Sequence, residues 1–189
     1  MALTQLHSLH DFIDASVAPM PAAHLRSTPR TEPFDVLLSV EDVRCAALRA
    51  AASARRLLSI YSADLEPDVY DQPDFLEAVK RFVLSRSFAK VRVLVHRPLG
   101  VVGNSNRFVA MARRLTTCIE IRVAAPEFRD RGSAMLIADD HSVVYRKRAS
   151  SWDGMAGFQQ PLVAGLHLKE FDEIWMGSAT GQAPRILHG

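Results

Sequence analysis

The strongest constraint on this chain is the way its apolar residues change period. From residue 35 onward, short apolar runs suited to strands alternate with stretches whose apolar residues recur every three or four positions. Residues 35–38 form a first strand. Ser39 or Glu41 then opens a helix to about residue 54; Ser39 is a good cap, and Asp42 lies three residues on, where a first-turn acid is favourable. LLSIY (57–61) reads as a buried strand. A helix starting at residues 71–73 carries Phe75, Val79, Phe82 and Val83 on one face. VRVLVH (91–96) is a strand, residues 104–116 a helix with Phe108, Met111, Ala112 and Leu115 inward, and CIEIRV (118–123) an alternating strand. AMLIA (134–138) and SVVY (142–145) flank Asp139-Asp140-His141, which reads as a hairpin. Residues 154–157 fall in a loop. A last helix carries Leu168, Phe171 and Trp175 and stops at Gly177. The order β-α-β-α-β-α-β-β-β-α predicts an α/β fold: a mixed, largely parallel sheet with helices on both faces and an antiparallel portion from the hairpin.

Residues 1–33 lack this rhythm. Leu3, Leu6, Leu9 and Ile13 fall near helical spacing, and Pro19, Pro21, Pro29 and Pro33 follow, so an arm or linker with a short helix is expected before one domain over 34–189. With 48% hydrophobic residues among 189, that domain has material for a core without disulfides or metals. No apolar stretch approaches a membrane span, and no secretory leader is visible, so no membrane association is expected. Cys45 and Cys118 lie far apart in apolar runs and read as buried free thiols, which points to a cytoplasmic location.

The familiar catalytic signatures are missing. The chain has no G-x-G-x-x-G, no Walker loop after Gly100 and Gly103, no G-x-S-x-G and no H-E-x-x-H. His7 and His10 have no third ligand nearby, and neither metal nor cofactor is expected. The net charge is only +2, but 19 of the 23 basic residues are arginine. Codon usage accounts for most of that imbalance. Arg44, Arg49, Arg81 and Arg86 fall on predicted helices with nothing to single them out. Arg92 and Arg122 interrupt predicted strands, where a charge needs a partner or solvent. They either point to an exposed sheet face or share an anion-binding surface with Arg113, Arg114, Arg129 or Arg131.

RRLLSIYSADLEPDVYD (55–71), VRVLVH, MARRL (111–115), IEIR (119–122), AMLIADDHSVVYR (134–146) and LKEFDEIWMGS (168–178) together resemble the phospholipase D-like fold. More narrowly, they resemble a bacterial family of unknown function whose domain often follows a GNAT-type acetyltransferase module. The resemblance covers about residues 35–188, and the residues before it are too few for such a module. It implies a site built on His-x-Lys, four residues, Asp, and six residues later Gly-Ser: the histidine attacks phosphorus, the lysine neutralises phosphate and the acid supports the site. With the acid at Asp139, the histidine and lysine positions are Gly132 and Ala134, and Gly-Ser becomes Arg146-Lys147. With the acid at Asp140, they are Ser133, Met135 and Lys147-Arg148. Gly177-Ser178 lies too late in the chain.

The resulting expectation is a non-catalytic phospholipase D-like module that binds an anionic ligand (phosphate or nucleic acid) or a protein partner. Arg92, Arg113, Arg114, Arg122, Arg131 and Asp139 are its candidate ligand-binding residues. The alternative is a phosphodiesterase with replaced catalytic groups drawn from Asp64, Glu66, His96, Asp139 and His141, all near predicted strand ends. The resemblance also implies a homodimer, onto whose partner subunit the N-terminal arm could pack.

Overall fold

The computed structural model describes residues 33–97 and 106–180, which belong to one compact unit, Thr31–Gly189. The N-terminal arm lies outside the described residues. Within them, seven strands alternate with helices: β1 (Asp35–Leu37), α1 (Val40–Ser53), β2 (Leu57–Ser62), α2 (Pro67–Tyr70), α3 (Pro73–Ser85), β3 (Lys90–Val95), α4 (Arg107–Arg114), β4 (Ile119–Val123), a 3₁₀ turn (Pro126–Arg131), β5 (Ala134–Ala138), β6 (Ser142–Arg146), β7 (Gly154–Gly157) and α5 (Pro161–Thr180).

The strands form one sheet in the order β1-β7-β6-β5-β2-β3-β4. Only β2, β3 and β4 run parallel; every other neighbouring pair is antiparallel. The sheet is therefore mixed rather than largely parallel, with four of its six neighbouring pairs antiparallel. The reason is β7. Residues 154–157 are a strand, not a loop, and β7 extends the β5–β6 hairpin outward until β1 closes the edge. Strand-forming residue types are scarce in GMAG, so its sequence hides it. A Cβ at Gly154 would stand 2.5 Å from the Tyr145 carbonyl oxygen, so glycine is what lets the two strands approach.

The helices lie on both faces. Leu58 and Ile60 of β2, with Val91, Val93, Ile119 and Ile121, pack under Val43, Ala46, Phe75, Val79, Phe82 and Phe108 of α1, α3 and α4. The intervening residues, Tyr61, Leu94, Met135 and Ile137, face the other way and pack under Phe171, Ile174 and Trp175 of α5. Each buried Val, Leu, Ile, Met or Phe side chain among them contributes about 1.5–3 kcal/mol. A capping box starts α1: Ser39 Oγ accepts from Asp42 N at 3.1 Å and Asp42 Oδ2 accepts from Ser39 N at 3.0 Å. Asn106 caps α4, its Oδ1 accepting from Phe108 N (2.9 Å) and Val109 N (3.3 Å).

Two further expectations change. Helix α5 runs through Gly177 to Thr180, because that glycine serves packing rather than termination: a Cβ there would lie 2.6 Å from the Phe128 ring. Cys45 is exposed and Cys118 half-buried, since α1 turns Val43, Ala46 and Ala47 inward and leaves Cys45 outside.

Candidate functional site

Strand directions gather chemistry-bearing residues at two opposite ends of the sheet. At the first, β2 and β3 finish and deliver Asp64, Glu66 and His96. Because β5 is antiparallel to β2 and β6 to β5, Gly132, Ala134 and Arg146 arrive at the same end, with Ala134 paired to Arg146. Arg146 is almost fully buried (3% of its side chain exposed) and ion-paired to Glu66. Its Nη1 also donates to the carbonyls of Ala149 (3.1 Å) and Ser151 (2.9 Å), and its guanidinium lies 4.9 Å from the Trp152 ring centre. Glu66 accepts a further bond from Ser62 Oγ at 3.1 Å. The pair is thus closed on itself. Burial, then the Glu66 charge, raise the pKa of the neighbouring Tyr70 phenol. Gly132 has φ 63°, a conformation in which a side chain is strained.

His96 is buried at this end and stacks on Tyr61 at 5.4 Å, yet its Nε2 has no hydrogen-bond partner. Burial lowers its pKa; Arg97 adds to that shift and Asp64 opposes it. Tyr61 is pushed up to about 12, mainly by burial, and donates to the Phe128 carbonyl at 2.8 Å.

The arginines singled out from the sequence mostly hold α5. Arg92 Nη2 lies 2.7 Å from Asp172 Oδ1, donates to Ser59 Oγ at 3.1 Å, and faces the Phe171 and Trp175 rings. Arg122 donates to Glu120 Oε1 (2.8 Å) and the Trp175 carbonyl (3.2 Å), with its guanidinium 3.9 Å from the Trp175 ring centre. Arg131 pairs with Glu170 at 2.5 Å. Asp172 and the Phe171 and Trp175 rings of α5, with Glu120 on β4 itself, explain how Arg92 and Arg122 can interrupt strands. Arg129 donates to the Ala124 carbonyl at 2.9 Å. Arg113 and Arg114 are exposed in the last turn of α4, where cations complement the helix dipole.

Asp139 stands at the other end of the sheet, with His141. At φ 53° it aims its carboxylate at the start of β2: Oδ2 accepts from Arg55 N, and Oδ1 from Arg56 N and Leu57 N, each at 2.8 Å. The five candidates of the enzymatic alternative are therefore split, Asp64, Glu66 and His96 from Asp139 and His141. Beside Asp139 opens a cleft of about 850 Å³ lined by Arg55, Arg56, Arg81 and Arg86. None of these four stood out in the sequence. The available signal was the Arg55-Arg56 pair immediately before a buried strand, with two more arginines near the end of the helix beside it.

The family model described as a domain of unknown function, DUF7931, matches residues 39–187. The chain belongs to the DUF7931 family. No curated protein matches it. Among solved structures, this DUF7931 domain is similar to TrmBL2, an archaeal chromatin protein (TM-score 0.57, 16% identity, 85% of this chain and 56% of that one). It is also similar to Nuc from Salmonella typhimurium, a phospholipase D family member (TM-score 0.54, 18% identity, 81% and 98%), and to NucT from Helicobacter pylori (TM-score 0.53, 14% identity, 77% and 98%). The DUF7931 chain thus has a phospholipase D-like fold and spans little more than half of TrmBL2. No described helix is long and apolar enough to cross a membrane.

Proposed function

We propose that this domain is a non-catalytic phospholipase D-like module that binds an anionic ligand. The observation that carries the reading is the closed Arg146–Glu66 pair at the strand end where Gly132 and Ala134 take the histidine and lysine positions when the acid is aligned at Asp139. Arg146 is buried and already neutralised by Glu66, which leaves it little charge to offer a phosphate, and neither glycine nor alanine can attack phosphorus. TrmBL2 is described as binding DNA, which makes nucleic acid the first anion to test. The exposed Arg113 and Arg114 and the arginines of the cleft beside Asp139 are the cations available to it.

A phosphodiesterase assay with bis(p-nitrophenyl) phosphate tests the absence of catalysis. No turnover above buffer is expected. Turnover that disappears in His96→Ala would favour the second reading, a phosphodiesterase with replaced groups. The observation behind that alternative is the buried, unpartnered Nε2 of His96. For assembly, this reading expects a homodimer, with Leu162, Leu166 and Met176 exposed along α5. Sedimentation velocity across a concentration series checks it, and a monomer throughout removes it.

A further inference from the structure

The cleft beside Asp139 gathers four arginines, whereas much of the domain's arginine is already committed to carboxylates. Arg44, Arg92, Arg107, Arg122, Arg131 and Arg146 each reach a carboxylate. Among the described residues, the side chains of Arg55, Arg56 and Arg81 form neither ion pair nor hydrogen bond, and Arg86 donates only to Ser85 Oγ at 3.2 Å. Yet all four line one cleft. Asp139 makes no hydrogen bond to their side chains; its oxygens accept instead from three backbone amides. The same three bonds fix the backbone that carries Arg55 and Arg56.

We propose that this cleft is a phosphodiester-binding site that takes the backbone of a nucleic-acid strand. The proposal rests on the anionic-ligand reading above and gives it a location, at the end of the sheet opposite Gly132 and Ala134. Four guanidinium groups stand against Asp139 and Asp140, and the C-terminal ends of α1 and α3 add about half a negative charge each. A field of about one positive charge remains, which matches the single charge of a phosphodiester. Guanidinium forks suit phosphate oxygens bidentately. Among the described lining residues Phe82 is 4% exposed and packed into the core, and no Tyr or Trp lines the cleft, so it offers no broad stacking platform for a run of bases. Binding is therefore expected to be led by phosphate contacts, which carry no base sequence.

Fluorescence anisotropy of the full chain with a short labelled single strand tests this across a salt series. The double variant Arg81→Ala/Arg86→Ala is expected to weaken binding by about tenfold and to reduce the slope of log K against log salt by about 1.4, for two lost phosphate contacts. Lys147→Ala/Arg148→Ala removes the same charge after β6, at the other end, and is expected to stay within about twofold. Thermal melts establish that both variants fold. If the wild type binds neither the strand nor inorganic pyrophosphate at low salt, both the anionic-ligand reading and this site fall. If it binds and the first variant is unaffected, or both variants weaken it equally, only the site falls. If pyrophosphate alone binds in the cleft, a small phosphorylated ligand replaces nucleic acid and the proposal is overturned.

Discussion

Replacing Arg146 by Met tests the claim that the Arg146–Glu66 pair is structural. Met keeps much of the side chain's length and removes the charge. Glu66 then stays behind, with only 12% of its side chain exposed and Ser62 Oγ as its remaining side-chain partner. The carbonyls of Ala149 and Ser151 lose their donors as well. Stranding one member of a buried pair costs about 3–5 kcal/mol, and burial this deep leaves little solvent screening to reduce it. For a domain of this size, that is a fall in Tm of about 6–20 °C. The double variant Arg146→Met/Glu66→Leu removes both charges and is expected to recover most of the loss, since a well-packed apolar pair is often as stable as the ion pair it replaces. Urea unfolding followed by circular dichroism measures all three proteins. A loss below about 1 kcal/mol in the single variant, or a double variant no better than the single, would refute the reasoning. Oligonucleotide affinity of the double variant should match the wild type, which separates a structural pair from a ligand-binding arginine.

Other expectations follow from the same geometry. His96 has a folded pKa below its unfolded value of about 6.5, so its neutral form contributes stability above that pH, and the contribution is lost as pH falls from there through the folded pKa. The urea midpoint of His96→Gln should therefore fall less between neutral and mildly acid pH than that of the wild type; parallel curves would exclude His96 as the source. Gly177→Ala should destabilise by about 1–3 kcal/mol despite alanine's better helix propensity, because the new Cβ meets the Phe128 ring at 2.6 Å. A raised Tm would show that the ring yields freely. Asp172→Ala should cost no more than about 1 kcal/mol, since its side chain is half exposed and Arg92 keeps Ser59 and two aromatic rings; a larger loss in a thermal melt would mean that the pair anchors α5.

Period carried the sequence reading where one face of an element is buried. Phe75, Val79, Phe82 and Val83 were legible on α3 because a helix packed on one side must repeat them, and all four are buried. Ser39 with Asp42 was legible because a capping box is local. Strand β7 and Gly177 were not, because each glycine answers to a neighbour distant in sequence, Tyr145 in one case and Phe128 in the other. The site divides in the same way. That Arg92 and Arg122 needed partners was visible, and Glu120 lies two residues from Arg122, but Asp172 and the Trp175 carbonyl lie on α5, and period does not show what a helix presents to a strand fifty or more residues away. The cleft arginines gave still less signal, since an exposed arginine on an amphipathic helix looks like any solvated residue.

Asp139 has a structural role that stands apart from any catalytic one. In the register that aligns it with the phospholipase D acid, the histidine and lysine positions hold Gly132 and Ala134, so an acid without its partners needs another reason to be there. The three backbone amides at the head of β2 supply one. They lie at the far end of β5 from Ala134, and filling that first end with Arg146 and Glu66 leaves them untouched. Its carboxylate closes a loop of more than eighty residues onto the hairpin, with Asp139 N donating back to the Leu57 carbonyl at 2.8 Å. Asp139→Ala would leave three amides at the start of a central strand without their acceptor, a cost in folding of about 1–3 kcal/mol for each that stays buried and unpaired. An acid in this position is accordingly evidence for the fold and carries no weight as evidence for phosphodiester hydrolysis. Any ligand chemistry must be sought in side chains that the fold does not already employ, and the arginines beside Asp139 meet that condition where Arg92, Arg122, Arg131 and Arg146 do not.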